Sequence, residues 1–441
     1  MSIKVCKFGG TSMADGNIMK RVADIVRSDD ERRYIVVSAP GKRFSADIKV
    51  TDLLYRCAQA VKSEGSCKAV FAKIRERFLG IAKELKLNLD MKGILDEIEE
   101  TIDRTGSSDY AASRGEYLSA RIMAEVLGYD FIDAKDVIFF NAAGMLDERS
   151  YSVIFETFKS VKHAVIPGFY GMGADGEIKT FSRGGSDITG AVVACGAQAE
   201  VYENWTDVSG FLACDPRIVP GAKNITSLSY KELRELSYMG AGVLHSESIF
   251  PVRKANIPIR IKNTFRPEDE GTLILPSVYY KMQEHNNIVT GIAGKKNYTV
   301  LFIEKSLMNS EIGFTRKILS ILEHHNLAFE HMPSGIDTLS LVIESAQLSD
   351  HLLEQVEAEI NEAVHPDYMR SLENVALIAT VGHGMASNVG TSARLFKALS
   401  DAEINVRMID QGSSELNIIV GVDNADCEKC ISAIYHEFFT E

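Results

Sequence analysis

The chain has 441 residues, 45% apolar and 25% charged, and a formal net charge of −13. That length accommodates two or three domains with a sizeable core, and the acidic balance argues against nucleic acid or an anionic membrane as the main partner. No run approaches the roughly 20 apolar residues of a membrane span. Met1-Ser2-Ile3-Lys4 enters a strand pattern without a signal-peptide core, so a cytoplasmic location is expected. The seven cysteines (6, 57, 67, 195, 214, 427 and 430) follow no disulfide spacing. Cys427-Glu428-Lys429-Cys430 lies in an amphipathic helical pattern with no second pair to complete a zinc site, and is read as structural.

A first strand, Ile3-Lys4-Val5-Cys6, runs through Lys7-Phe8-Gly9-Gly10-Thr11-Ser12 into a helix patterned over Asn17–Val26. Two glycines between strand and helix bring backbone N–H groups and a helix N-terminus close to an anion. Lys7 adds a point charge suited to a phosphate oxygen. A second buried strand, Tyr34–Ala39, ends at Pro40-Gly41-Lys42, and Thr51 is the expected N-cap of the next helix. Residues 62–108 read as an exposed, charged helical insertion without chemistry. A further helix carries Glu116 among small and apolar residues, where a solvated carboxylate is the plainer reading. Strands at Phe131–Ala134 and Ala164–Gly171 alternate with helices, which argues for an α/β domain with a mainly parallel sheet.

The second glycine loop is Phe181-Ser182-Arg183-Gly184-Gly185-Ser186-Asp187, between a strand at Ile178–Phe181 and a helix from Ile188. Arg183 offers a planar fork for a carboxylate or phosphate, and Ser186 and Asp187 suit helix capping. The strand from Val201 ends at Thr206-Asp207, and polar residues at that end of an open α/β sheet are where ligands bind. Neither a P-loop nor a dinucleotide fingerprint is present. Beyond about Ile288 the sequence repeats at an offset of 77 residues: Ile318 meets Leu395, Leu322 meets Leu399, Leu327 meets Ile404 and Phe329 meets Val406. Each unit reads as a ferredoxin-like βαββαβ arrangement.

Lys7 to Ser12, Arg183 to Asp187 and Trp205-Thr206-Asp207-Val208 with Asp215-Pro216-Arg217 together resemble the aspartokinases. The resemblance covers nearly the whole chain. It implies an amino-acid-kinase α/β sandwich over residues 1–287, followed by two ACT units over 288–372 and 373–441. It implies ATP and Mg2+ as cofactors and L-aspartate as substrate, with no fused dehydrogenase domain. By matching position, Lys7, Phe8, Gly9 and Gly10 correspond to the ATP-phosphate cradle, with Thr206, Asp207, Leu212 and Arg217 on the nucleotide side. Lys7 and Asp187 correspond to the catalytic pair. Thr51, Glu116, Arg183, Gly184, Gly185 and Ser186 correspond to the aspartate site, which gives Glu116 the substrate's ammonium and overrides its plainer reading. Met308, Gly313, Phe314, Thr315, Ala328, Phe329 and Glu330 correspond to an effector site for L-lysine, or alternatively L-threonine. The ACT units would form a homodimer, with a tetramer left open. One departure is clear: Gly242 stands where many of these enzymes carry a lysine. Leu212 also stands at the position of a tyrosine near the adenosine. A catalytically inactive ACT-bearing sensor, or a kinase of the same fold acting on another acid, are the alternatives.

Overall fold

The computed structural model describes residues 2–182, 184–242, 244, 248–276 and 287–440. Its contacts define two units: Met1–Phe211 with Asn224–Tyr230 and Val243–Gln283, and Leu212–Lys223 with Lys231–Gly242 and Glu284–Glu441.

In the first unit the strands are β1 (Lys4–Phe8), β2 (Arg32–Val37), β3 (Asp130–Phe131), β4 (Ala164–Pro167), β5 (Tyr170–Met172), β6 (Ile178–Thr180), β7 (Val201–Thr206), β8 (Ser227–Ser229), β9 (Ile259–Asn263) and β10 (Thr272–Leu275). The helices, in chain order, are α1 (Gly16–Arg27), α2 (Val50–Glu64), α3 (Lys68–Leu85), α4 (Met91–Thr105), α5 (Ser108–Leu127), α6 (Arg149–Phe158) and α7 (Gly185–Gly196). After α8 (Tyr230–Tyr238), most of which falls in the second unit, comes α9 (Phe250–Lys254). The main sheet has the order β3-β4-β2-β1-β7-β9-β10-β8, with β9–β10 its antiparallel pair. Parallel strands buried on both faces read as continuous apolar runs. Accordingly Val5, Cys6 and Phe8 of β1 and Ile35, Val36 and Val37 of β2 are wholly buried. The carboxyl ends of β4, β2, β1 and β7 open onto Gly168, Ser38, Gly9 and Asp207, where such sheets bind ligands. The Gly184–Gly185 loop follows β6 and reaches this edge where Ser186 lies against Gly168.

Several local expectations are corrected. A 3-10 turn (Gly10–Met13) separates the glycines from α1, and Asp15 caps that helix by accepting from Ile18 N–H at 2.9 Å. The N–H groups at Gly9 and Gly10 are therefore those of a loop. Thr51 lies in the first turn of α2, whose N-cap is Lys49. Strand Phe131–Ala134 shortens to the two residues of β3, because Asp133 caps a turn by accepting from Lys135 N–H. The stretch 164–171 breaks at Phe169, and β6 pairs with β5 in a separate hairpin. Residues 62–108 are not an exposed insertion. Phe71, Ile74, Phe78 and Ile81 of α3 and Leu95, Ile98 and Ile102 of α4 share one core with Cys6, Phe8, Leu54 and Trp205. Their apolar residues recur at helical spacing and face inward, while the charges that dominate the composition face out.

The second unit has one antiparallel sheet in the order β12-β11-β13-β15-β14, from β11 (Gly291–Glu304), β12 (Thr338–Glu344), β13 (Tyr368–Val381), β14 (Met408–Asp410) and β15 (Asn417–Asp423). The helices are α10 (Phe314–His324), α11 (Asp350–Val364), α12 (Thr391–Asp401) and α13 (Cys427–Phe439). Tyr298–Glu304 of β11 pair with β12 and with the start of β13, whereas residues 291–295 pair with 377–381. The strand that opens the first repeat therefore also extends the sheet of the second, so the two repeats interlock. Ile318, Leu322, Leu395 and Leu399 are all buried, as the repeat requires. Cys427 and Cys430 lie buried on α13. Among the described residues no group of His, Cys, Asp and Glu could hold a metal ion, and no helix is long and apolar enough to cross a membrane.

Candidate active site

At the centre of the first sheet Lys7, only 8% exposed, extends from β1 to α7. Its Nζ lies 2.7 Å from Asp187 Oδ1, and Asn204 Nδ2 on β7 donates to the same oxygen at 2.8 Å. Asp187 lies in the first turn of α7, after an N-cap, Gly184, in the left-handed region at φ 59°. It spends its carboxylate on Lys7 and Asn204 and caps nothing. A buried cation held by one carboxylate and aimed along the strand end can stabilise developing phosphoryl charge.

The loop after β1 lies against the loop after β2. Gly41 N–H donates to Gly10 O at 2.8 Å, and Gly9 N–H donates to Trp205 O at 3.0 Å. A Cβ on Gly41 would sit 2.7 Å from the Gly10 carbonyl, so only glycine permits this approach. Phe8 is wholly buried and stacks on Trp205 at 5.7 Å between centroids. Its side chain therefore supports the loop, leaving only backbone for any ligand. Ser12 Oγ bonds Thr264 Oγ1 at 2.7 Å, and Thr264 N–H donates to Thr206 O at 2.9 Å, which ties β1, β7 and β9 together below the site.

Glu116 on α5 is 5% exposed, and its Oε2 has no hydrogen-bond partner. Burial pushes its carboxyl up to about 8, against the smaller opposing pull of the Ala39 N–H, its own N–H and the Arg114 guanidinium. An isolated buried carboxyl is costly to ionise. One that persists beside Ala39, next to the glycine loops, suits a cationic partner. Thr51 is half-buried in the first turn of α2. Ser186 lies against Gly168, where an added Cβ would come within 2.7 Å of its side chain. Arg183 lies outside the described residues, as do Val243 and His245 beside Gly242.

Thr206 Oγ1 is 3.2 Å from the exposed Asp207. Leu212 and Arg217 belong to the second unit. Leu212 is half-buried there, and Arg217 is exposed and forms a forked pair with Asp215, the closest contact being 2.6 Å. Sequence reasoning missed Asn204. Its signal was a polar residue, next to Glu203, between the buried aromatics Tyr202 and Trp205.

Around the effector positions, Gly313 caps α10 at φ 83° and Met308 is buried in a 3-10 turn. Phe314 is buried, Thr315 and Ala328 follow in the helix and the loop beyond it, and Phe329 is exposed. Ala328–Glu330 form no strand; an isolated bridge joins His331 to Val342, and Glu330 N–H donates to Val342 O at 2.7 Å. Glu330 is half-buried, and its Oε2 also has no hydrogen-bond partner.

A buried lysine–aspartate pair at the carboxyl edge of a mainly parallel sheet, beside glycine loops, is an arrangement suited to a phosphoryl group. The amino acid kinase family model matches residues 2–263, and an ACT domain model matches residues 378–438. The chain is 40% identical to aspartokinase 3 of Bacillus subtilis over 456 residues, covering 99% of each chain. The crystal structure of Clostridium acetobutylicum aspartate kinase matches with a TM-score of 0.91 and 52% identity, over 99% of this chain and 100% of that one. Escherichia coli aspartokinase III in complex with aspartate and ADP matches with a TM-score of 0.74 and 26% identity, over 99% and 100%. The same enzyme in complex with lysine and aspartate matches with a TM-score of 0.74 and 27% identity, over 99% of each chain. The chain belongs to the aspartokinases of the amino acid kinase family.

Proposed function

We propose that the chain transfers the γ-phosphoryl group of ATP to the β-carboxylate of L-aspartate, giving ADP and 4-phospho-L-aspartate. This is the first step toward lysine, threonine and methionine. The observation that carries the substrate choice is Glu116, a buried carboxyl with an unpartnered oxygen beside the glycine loops. A free α-ammonium would satisfy it, and an acylated amine would not. The acceptor is already a carboxylate, so no general base is required, and catalysis is positioning plus charge neutralisation. Lys7, held by Asp187 at 2.7 Å, supplies the fixed positive charge. Gly10 offers its N–H to the phosphates, and Gly9, whose own N–H is taken by Trp205 O, lets the backbone approach them. Thr206 and Asp207 flank the nucleotide, and Thr51 and Ser186 the aspartate. Mg2+ would be carried chiefly by the phosphates of ATP, whose charge it screens.

The kinase domain extends to about residue 287, followed by two interlocked ACT units that form a homodimer; a tetramer is the alternative assembly. The E. coli relative solved with lysine supports L-lysine as the feedback inhibitor, ahead of L-threonine, at the Met308–Thr315 loop and Glu330. Seven free cysteines agree with a cytoplasmic location. The deciding experiment is aspartate-dependent hydroxamate formation with ATP and Mg2+. No hydroxamate would favour an inactive sensor, and hydroxamate from another acid in place of aspartate would overturn the substrate.

A further inference from the structure

Arg77, on α3, is only 8% exposed. Its Nη2 donates to Ala14 O and to Gly41 O at 2.7 Å each, and its Nε also reaches Ala14 O, at 3.2 Å. Its Nη1 is 2.8 Å from Asp47 Oδ2. Ala14 closes the turn that follows Gly10, and Gly41 N–H itself donates to Gly10 O. Asp47 also receives the Arg43 Nε and Nη2 at 2.8 and 3.0 Å, so the segment from Gly41 to Asp47 folds back around one carboxylate. Three diverging acceptors from two loops and a side chain match a guanidinium fork. An ammonium cannot reach all three.

We infer that Arg77 is a positioning residue for phosphoryl transfer. It fixes the spacing between the Gly9–Gly10 loop, which holds the nucleotide phosphates, and the Gly41–Thr51 segment, which leads to the aspartate site. The inference rests on those two assignments from the proposed function. The named donors of Arg77 are taken by protein acceptors, so it acts through the loops and touches neither substrate. Transfer needs the acceptor oxygen and the phosphorus in line at about 3–3.5 Å, and a misplacement of about 1 Å costs roughly 10²-fold in rate. A residue that served only as a stability brace would change the folded fraction and leave turnover per folded molecule intact.

The test uses the full chain with Arg77→Gln, Arg77→Lys and Arg77→Ala. Wild type and Lys7→Ala are assayed first for aspartyl hydroxamate, which judges the kinase reading without involving Arg77. Arg77→Gln should lower kcat per folded molecule about 30-fold, with KM for ATP and for aspartate each within about threefold of wild type. Arg77→Lys should recover part of the loss. Millimolar guanidinium should partly rescue Arg77→Ala through the adjoining cavity of about 530 Å3, which Arg43, Asp47, Glu76 and Glu84 line. Amide hydrogen exchange is independent of activity: Gly10–Ala14 and Gly41 should exchange about tenfold faster in Arg77→Gln, with the rest of the sheet unchanged. Turnover per folded molecule within twofold of wild type, or unaltered exchange at those amides, overturns the inference. Should Arg77→Gln fail to fold, Arg77→Lys carries the same two readouts. An inactive wild type would overturn the kinase reading and with it the role in transfer, while the exchange result separately tells whether Arg77 fixes the two loops.

Discussion

Glu116 and Glu330, one in each unit, both end in a carboxylate oxygen with no hydrogen-bond partner, but at different depths. Glu116 is almost wholly buried, and burial raises its carboxyl to about 8. Glu330 is half-buried on the loop beyond α10, and the Tyr238 hydroxyl is raised by its own burial first and by Glu330 second. A deep carboxyl meets an ammonium out of reach of water, so the contact is strong, exclusive and tied to proton release. On the half-buried Glu330 the unpartnered oxygen is covered but the residue as a whole is not, which gives a weaker contact, suited to sensing a changing concentration. The second repeat sharpens the contrast. Gly390 caps α12 at φ 90°, as Gly313 caps α10, and Met385 is buried as Met308 is. Arg407, however, occupies the position equivalent to Glu330 and is paired with Asp423 at 2.8 Å. The backbone repeats, and the open acid does not.

The largest effect expected from breaking this contrast is at the deep site. Glu116→Gln keeps the shape and removes the charge, and losing one partner of a buried charged contact costs roughly 2–5 kcal/mol. Aspartate affinity should fall by more than about 10²-fold with ATP affinity nearly unchanged, measured by calorimetry for each ligand. A loss of ATP binding with aspartate intact would mean the two subsites are exchanged. Next in size, Lys7→Ala should lower kcat by about 10² while both aspartate and the effector still bind, which separates chemistry from both carboxylates. Near-normal kcat would remove Lys7 from the mechanism.

The depth of Glu116 also fixes a pH dependence. Its carboxyl is raised from an ordinary 4.5 to about 8, so the free folded protein holds it protonated at neutral pH. Folding then favours the protonated form, and the stability this residue contributes is present below about 4.5 and is lost as pH rises toward 8. Aspartate binding has the opposite sign, because its ammonium requires the ionised form. Apparent aspartate affinity should strengthen roughly tenfold per pH unit up to 8, or about 50-fold from pH 6 to pH 8, then level off. Glu116→Gln should flatten that profile. A wild-type profile already flat across this range would show Glu116 ionised in the free protein.

What was legible in the sequence was local. Gly9-Gly10 beside Lys7 and Gly184-Gly185 beside Asp187 are short patterns following strands of two different sheets, and the structure brings them together through the Lys7–Asp187 pair. The 77-residue repeat was legible because buried positions recur, Ile318 and Leu395 among them. What was hidden depends on partners far apart in the chain. Asn204 gains meaning only when α7 brings Asp187 to it. Arg77 looked like one charge among many on a helix, yet it binds the carbonyls of residues 63 and 36 positions away. The interlocking of the two repeats could not be seen either, because the halves of β11 and β13 pair across the repeat boundary. Capping was misread at Thr51 and Asp187 because a suitable side chain near a helix start does not settle which residue starts the helix.

The smallest effect is expected at the shallow site, and it tests whether the two repeats differ as their side chains imply. Glu330→Ala removes the open acid and should raise the L-lysine concentration for half-inhibition about tenfold, within the usual range of allosteric coupling. Uninhibited kcat should stay within about twofold, since an effector shifts the balance between two enzyme states only through its differential affinity for them. Arg407→Ala removes the equivalent residue, whose charge is already spent on Asp423, and should leave lysine inhibition nearly as it was. Lysine and threonine would be titrated separately into the wild type and both variants, following hydroxamate rate and calorimetric binding together. Equal relief from Arg407→Ala would show that the effector reads both repeats and that the open carboxylate of Glu330 is not what selects it. No binding of either amino acid to the wild type would leave the second unit as an assembly module alone.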